Sequence, residues 1–162
     1  MATASFSQNR FPSISNPEKI KIGIAVADWN SHITEKLLQG ALETLIELDI
    51  KPENVQVLSV PGSFELALGA QMMFDKGYDA VICLGCVIQG DTPHFDYVCK
   101  AASEGIMQVG LEARKPCIFG VITTFTEEQA LERAGGKHGN KGAEAAITAC
   151  CMIASKQNLL LH

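Results

Sequence analysis

The residues from Gly85 to Tyr97 read GCVIQGDTPHFDY, a run that combines what binding an anion and moving a proton require. The apolar residues up to Ile88 predict a buried strand that runs out into Gly90-Asp91-Thr92-Pro93. A helix is expected next, with His94 at its start. A strand that opens through a small polar loop into a helix leaves free backbone N–H groups and the positive end of the helix dipole pointing outward. Gly90 can take backbone angles that other residues avoid, and Thr92 adds a hydroxyl donor. His94 adds an imidazole, a group that can accept or donate a proton. An exposed loop histidine fits the position of His94 as well as a catalytic one does until the neighbouring loop is considered. An anion cradle beside a proton carrier points to chemistry on a phosphorylated small molecule.

Other candidates stand at the ends of other predicted strands. Trp29 is the only tryptophan. On position alone, a surface anchor and a flat wall for a heteroaromatic ring fit it equally. Asn30 or Ser31 is expected to cap the helix that follows. Ser63 reads as a helix cap. Glu65 lies one turn on, where a carboxylate complements the helix dipole whether or not it has another role. Arg133 before Gly135-Gly136 and Lys141 before Gly142 read first as solvated charges at helix ends.

The elements that would position these residues follow from hydrophobic period. Strands are expected over 19–27, 55–60, 79–88 and 117–124, and helices over about 31–49, 63–76 and 94–113. Thr126-Glu127-Glu128-Gln129 has the form of a capping box and opens a short helix through Arg133. The residues 137–142 read as a small basic turn before a last helix over about 143–156. Strands alternating with helices predict an α/β fold, one parallel sheet covered on both faces. Ligands in such sheets bind outside the carboxyl ends of the strands. Those ends are Asp28-Trp29-Asn30, Pro61 to Glu65, Gln89 to Thr92 and Thr123-Thr124, so the candidates converge on one edge of the sheet.

Length and composition narrow the classes. A chain of 162 residues suits one domain, assigned here to 19–162, behind a flexible N-terminal arm over 1–18. A net charge of −5 argues against nucleic acid or an anionic membrane as partner, while leaving room for a local basic pocket at Lys137, His138 and Lys141. No apolar run reaches the roughly 20 residues of a membrane span, and the N-terminus lacks the basic and apolar regions of a secretory signal. A cytoplasmic location is expected. The six cysteines include Cys83 and Cys86 in a C-x-x-C spacing, but in a strand those two point to opposite faces, and buried free thiols are expected. No metal-ligand spacing, no Walker phosphate loop and no GxGxxG is present, so no metal and no dinucleotide cofactor is expected.

Five stretches together carry a family resemblance. They are KIGIAVADWN at 21–30, VPGSFELAL at 60–68, YDAVICLGCVIQGDTPHFDYVC at 78–99, IFGVITT at 118–124 and EQALERAGGKHGNKGAEAA at 128–146. Their order and content resemble the 6,7-dimethyl-8-ribityllumazine synthases of riboflavin biosynthesis over nearly all of 21–153. The fold expected is then a three-layer α/β/α sandwich around a four-stranded parallel, flavodoxin-like sheet. The resemblance implies condensation of 5-amino-6-(D-ribitylamino)uracil with 3,4-dihydroxy-2-butanone 4-phosphate, releasing phosphate and water, without metal or organic cofactor. It implies that Trp29 stacks on the pyrimidine and that the backbone of Val87 and Ile88 meets the edge of that ring. Asn30, Ser63, Phe64 and Glu65 would hold the ribityl chain. Gly90, Asp91, Thr92 and Arg133 would bind phosphate, His94 would move protons, and Phe119 and Lys141 would come from an adjacent subunit. It also implies pentamers, with a closed icosahedral shell in those members whose turn before the last helix is compact, as GGKHGNKG is here. One position departs from the commonest pattern: Gln89 stands where the family often has Arg, which removes a charge beside the loop.

Overall fold

A computed structural model describes residues 13–160. Four strands, β1 (Ile22–Ala27), β2 (Val55–Val60), β3 (Ala80–Ile88) and β4 (Cys117–Thr124), form a parallel sheet in the order β2-β1-β3-β4. All six residues of β1 and the first seven of β3 are buried, because these two central strands are covered on both faces. Helices α1 (Ser31–Glu47) and α5 (Lys141–Leu160) pack on one face, and α2 (Leu66–Asp75) and α3 (His94–Ala113) on the other. The expected three-layer α/β/α arrangement is the one found.

Alternation along the strands splits the core into two clusters. Ile22, Ile24, Ile82 and Leu84 meet Ile33, Leu37, Leu45 and the alanines of α5 on the first face. Ala25, Val81 and Cys83 meet Leu66, Met73, Ile106 and Val109 on the second. Each fully buried Ile or Leu contributes about 1.5–3 kcal/mol of transfer free energy, so the two clusters dominate the stability of the domain. Cys83 and Cys86 fall in opposite clusters, as the period of a strand requires, and all six cysteines are free.

Local chemistry shifts several expected boundaries. Pro17–Lys19 form a 3-10 turn closed by the Ile20 N–H donating to Pro17 O, so β1 starts at Ile22 rather than at Lys19. The segment expected as the start of the second helix is a separate 3-10 turn, Ser63–Glu65, that leads into α2. Thr126 does cap α4 (Glu127–Leu131) by accepting from the Gln129 N–H, at 3.3 Å. The reciprocal bond falls one residue early: Gln129 Oε1 accepts from the Phe125 N–H at 3.0 Å. The stretch expected as a basic turn is a small antiparallel hairpin, β5 (Ala134–Gly136) and β6 (Gly139–Asn140). Short glycine-rich strands give no alternating apolar pattern to read.

The last helix begins at Lys141, two residues before the expected start. Asn140 is the reason: its Oδ1 accepts from the Gly142 N–H at 2.8 Å and the Ala143 N–H at 3.2 Å. Its Nδ2 donates to Lys36 O at 2.8 Å and so ties this helix start to α1. Of the arm expected over 1–18, residues 1–12 lie outside the described residues. Within the rest, Ser15 exchanges hydrogen bonds with the Gln157 side chain at 2.8 and 3.0 Å, and Ile14 packs against the first cluster. Among the described residues no helix is long and apolar enough to cross a membrane.

Candidate active site

Strand order decides where a ligand fits. The chain leaves β1 toward β2 and returns past it to β3, so a crevice opens between the carboxyl ends of β1 and β3. A cleft of about 510 Å³ lies there, lined by Trp29, Asn30, Gly62, Ser63, Phe64, Glu65, Cys86, Val87, Ile88, Gly90, Thr92, His94, Phe95 and Val98. Ten of the fourteen expected site residues therefore meet in one place. Asp91, in the same loop as Gly90 and Thr92, is exposed and does not line the cleft.

Each wall is held by bonds outside the cleft. The Asp28 and Trp29 N–H groups donate to Val60 O and Pro61 O at 2.8 and 3.1 Å, which fixes the end of β1 to the end of β2. The Ser59 hydroxyl adds a bond to the Asp28 carboxylate. Trp29 itself stays 75% exposed, an indole face presented to the cleft rather than packed into the core. Asn30 was expected as a cap; it adopts the left-handed conformation (φ 60°, ψ 45°) and makes no capping bond. Its Nδ2 instead donates to Cys86 O at 3.0 Å and bridges the two strand ends across the crevice. Asparagine is among the few residues that enter this conformation readily, so backbone and side chain both select it here.

Ser63 likewise makes no capping bond. It is 6% exposed and lies against β3, while Phe64 and Glu65 line the cleft. On the opposite side the Gln89 N–H donates to Thr124 O at 2.9 Å and carries the β3–β4 ladder one step further before the chain turns into Gly90-Asp91-Thr92-Pro93. Pro93 stands at the N-cap position of α3 without a side-chain capping bond, and His94 is the first residue of the helix. The backbone N–H groups of this helix start face the loop, the arrangement that suits a phosphate. Cys86 lies beneath the cleft floor, and burial, with a smaller contribution from the Glu127 carboxylate, pushes its thiol up to about 11, out of reach of nucleophilic chemistry at neutral pH.

The remaining three expected residues are elsewhere. Phe119, Arg133 and Lys141 line a second cleft, of about 670 Å³, along β4 and α5. It shares no lining residue with the first. Arg133 was expected to join Gly90 and Thr92 at a phosphate; within one chain it lies with Phe119 and Lys141 instead. The Arg133 guanidinium donates to Gln129 O at 2.8 Å, and Arg133 O accepts from the Lys141 N–H at 2.8 Å across the hairpin. Lys141 Nζ donates to both oxygens of Glu144, at 2.9 and 2.8 Å. Phe119 is 44% exposed on the edge strand. Asn140 and Glu144 hold this second group, and sequence reasoning missed both. The signal for Asn140 was available, since an Asn immediately before a Lys-Gly helix start is a cap.

Among the described residues no cluster of His, Cys, Asp or Glu is placed to hold a metal ion. The first cleft offers an indole wall, polar groups for a hydroxylated chain, free N–H groups for an anion and an imidazole. The second offers two cations and an aromatic ring.

Comparison with known proteins accords with this geometry. The family model described as 6,7-dimethyl-8-ribityllumazine synthase matches residues 19–157. A protein of that name from Cytophaga hutchinsonii is 58% identical over 142 residues, covering 87% of this chain and 89% of the relative. Another from Parabacteroides distasonis is 53% identical over 156 residues, covering 94% of this chain and 98% of the relative. A third, from Phocaeicola vulgatus, is 50% identical over 162 residues, covering 98% and 96%. The chain belongs to the 6,7-dimethyl-8-ribityllumazine synthase family.

Proposed function

We propose that the first cleft of one subunit and the second cleft of a neighbouring subunit together form the site that condenses 5-amino-6-(D-ribitylamino)uracil with 3,4-dihydroxy-2-butanone 4-phosphate. The product is 6,7-dimethyl-8-ribityllumazine, and phosphate and water leave. This is the condensation step of riboflavin biosynthesis, and the enzyme is a transferase. The observation that carries the reading is the convergence of Trp29, Glu65, Gly90, Thr92 and His94 on one cleft at the switch point of the sheet.

The chemistry needs little beyond placement and proton transfer. An amine of the pyrimidine substrate is the nucleophile and attacks the ketone of the phosphate ester, so the protein supplies no covalent nucleophile. Trp29 stacks on the pyrimidine, and the Val87 and Ile88 backbone meets its edge. Asn30, Ser63, Phe64 and Glu65 hold the ribityl chain. Holding two reactants in register contributes about 7–11 kcal/mol at best. His94 takes the proton from the attacking amine and returns it to the carbinolamine hydroxyl, which leaves as water to give the imine, a role that typically adds about 10²–10⁴-fold. The N–H groups of Gly90, Asp91 and Thr92 receive the phosphate. The neighbour's Arg133 and Lys141 stabilise it as it departs, and the neighbour's Phe119 closes the ring pocket.

A neighbour enters the proposal because the two clefts of one chain share no lining residue. Self-association into pentamers, with the compact 134–142 hairpin compatible with a closed shell, is part of the proposal. So is a cytoplasmic location, which the six free thiols suit. The test is a steady-state assay of the purified protein with both substrates, following lumazine absorbance with no metal or cofactor added. Product at a rate far above the uncatalysed one is expected. No product from an intact oligomer would sink the reading.

A further inference from the structure

Gly85 has a role that none of the site residues above covers. Alternate residues of β3 share a face, so Cys83, Gly85 and Val87 look toward α2 and α3. Between Cys83 and Val87, where any other residue would place a side chain, the Ser63–Glu65 turn is seated on the strand. A Cβ added to Gly85 would stand 2.6 Å from Ser63 Oγ, 3.0 Å from Leu66 Cδ1 and 3.4 Å from Ser63 Cβ. The requirement is for space and not for backbone angle, since Gly85 is not among the positive-φ glycines Gly77, Gly135 and Gly139. Nor does the seat have slack. Ser63 is buried and Leu66 is fully buried, so a side chain swinging away from a Cβ at Gly85 would have to enter packed surroundings. Gly90, in the loop of the same site, contrasts with it: a Cβ there would meet nothing within 4 Å.

We propose that Gly85 is a positioning residue for the condensation, the bare point on β3 that sets how deeply the Ser63–Glu65 turn, and with it Phe64 and Glu65, sits in the first cleft. The effect is local in kind. Glu65 and Phe64 belong to the wall that faces the ribityl chain, whereas the Gly90–Thr92 loop leaves β3 on the far side of Val87 and Ile88. Lifting the turn by a few tenths of an ångström therefore disturbs the pyrimidine substrate and spares the phosphate ester.

The inference rests on the function proposed above, and its test separates the two. The assembled wild type, Gly85→Ala, Ser63→Ala and the double variant are compared by steady-state kinetics with each substrate varied in turn, and the Gly85→Ala protein is crystallised. Gly85→Ala is expected to raise KM for the ribitylaminopyrimidine about tenfold or more while changing KM for the butanone phosphate less than about twofold. Removing Ser63 Oγ removes the closest clash, so the double variant should match Ser63→Ala within about twofold in both constants. The crystal structure should show the Ser63–Glu65 turn shifted away from β3. An unchanged KM for the pyrimidine, an equal rise in both KM values, or a double variant as impaired as Gly85→Ala would overturn the inference. Should Gly85→Ala not fold, a double variant that folds yet differs several-fold from Ser63→Ala does the same. A wild type that forms no lumazine defeats the functional reading instead, and an unmoved turn in the Gly85→Ala crystal then defeats this one on its own.

Discussion

In the function proposed, the two clefts divide the work of one reaction, and they are built of different materials. The first is built at the ends of the two central strands, where backbone bonds hold Trp29 and the start of the Gly90–Thr92 loop to neighbouring strand ends and the Asn30 side-chain amide donates to a third. It holds aromatic faces, amide groups and an imidazole, but no side chain with a permanent positive charge. The second is built at the edge of the sheet from β4, the start of α5 and Arg133, which stands between the five-residue helix and the hairpin. It holds both cations, and side-chain bonds from Asn140, Gln129 and Glu144 shape it. Recognition of a flat ring needs a rigid wall, which a sheet edge under two covered faces supplies. Recognition of a leaving dianion needs charge, which is cheaper to keep at an edge than to bury.

The largest effect that sharpens this contrast is expected at His94. His94→Ala should lower kcat by about 10²–10⁴-fold while leaving the oligomer intact by sedimentation, because it removes the proton carrier and no core contact. A variant turning over at the wild-type rate would take catalysis away from the first cleft.

Next comes a pair of substitutions that should separate the clefts by substrate. Arg133→Ala should raise KM for the butanone phosphate by about 10–100-fold, the loss of a charge-assisted hydrogen bond to phosphate. Trp29→Ala should raise KM for the pyrimidine by roughly tenfold, in the range of one lost base–aromatic stack. Each should move the other KM little. If both variants shift the two KM values in parallel, the division between ring and phosphate does not hold.

A smaller effect on stability is expected at the second cleft alone. Asn140→Ala removes the acceptor for two helix N–H groups and the donor to Lys36 O, and should destabilise the fold by about 1–2 kcal/mol. Thermal unfolding reads this directly. Because the residue holds the helix start that carries Lys141, KM for the phosphate ester should rise with it. A lowered melting temperature with unaltered KM would leave Asn140 a structural cap only.

How much of this was legible depended on the kind of signal. The apolar period gave the four strands and the three long helices, and β4 and α3 fall on the residues expected. The convergence of strand ends on one edge follows from topology alone. What the sequence left hidden lies where structure is made by side-chain bonds rather than by burial. Asn30 has the composition of a cap, yet its amide turns across the crevice to Cys86 O, a partner 56 positions away. Glycine-rich residues 134–140 pair as a hairpin with no apolar alternation to announce it. The separation of Arg133 from the Gly90–Thr92 loop was invisible for a further reason. Spacing along the chain says which edge of the sheet a residue reaches, and Arg133 follows β4, the outer strand, rather than β3.

The central claim is that each site draws on two subunits, and subunit mixing tests it most directly. His94→Ala and Arg133→Ala proteins, each nearly inactive under phosphate-limited conditions, are dissociated together and reassembled at equal amounts. If the site spans subunits, a first cleft with His94 will meet a neighbour with Arg133 in about one site in four of a random mixture. Activity should then return to roughly a quarter of that of the wild type reassembled in the same way. Activity no higher than the mean of the two parents, in oligomers shown to contain both chains, would place the whole site within one subunit and contradict the account.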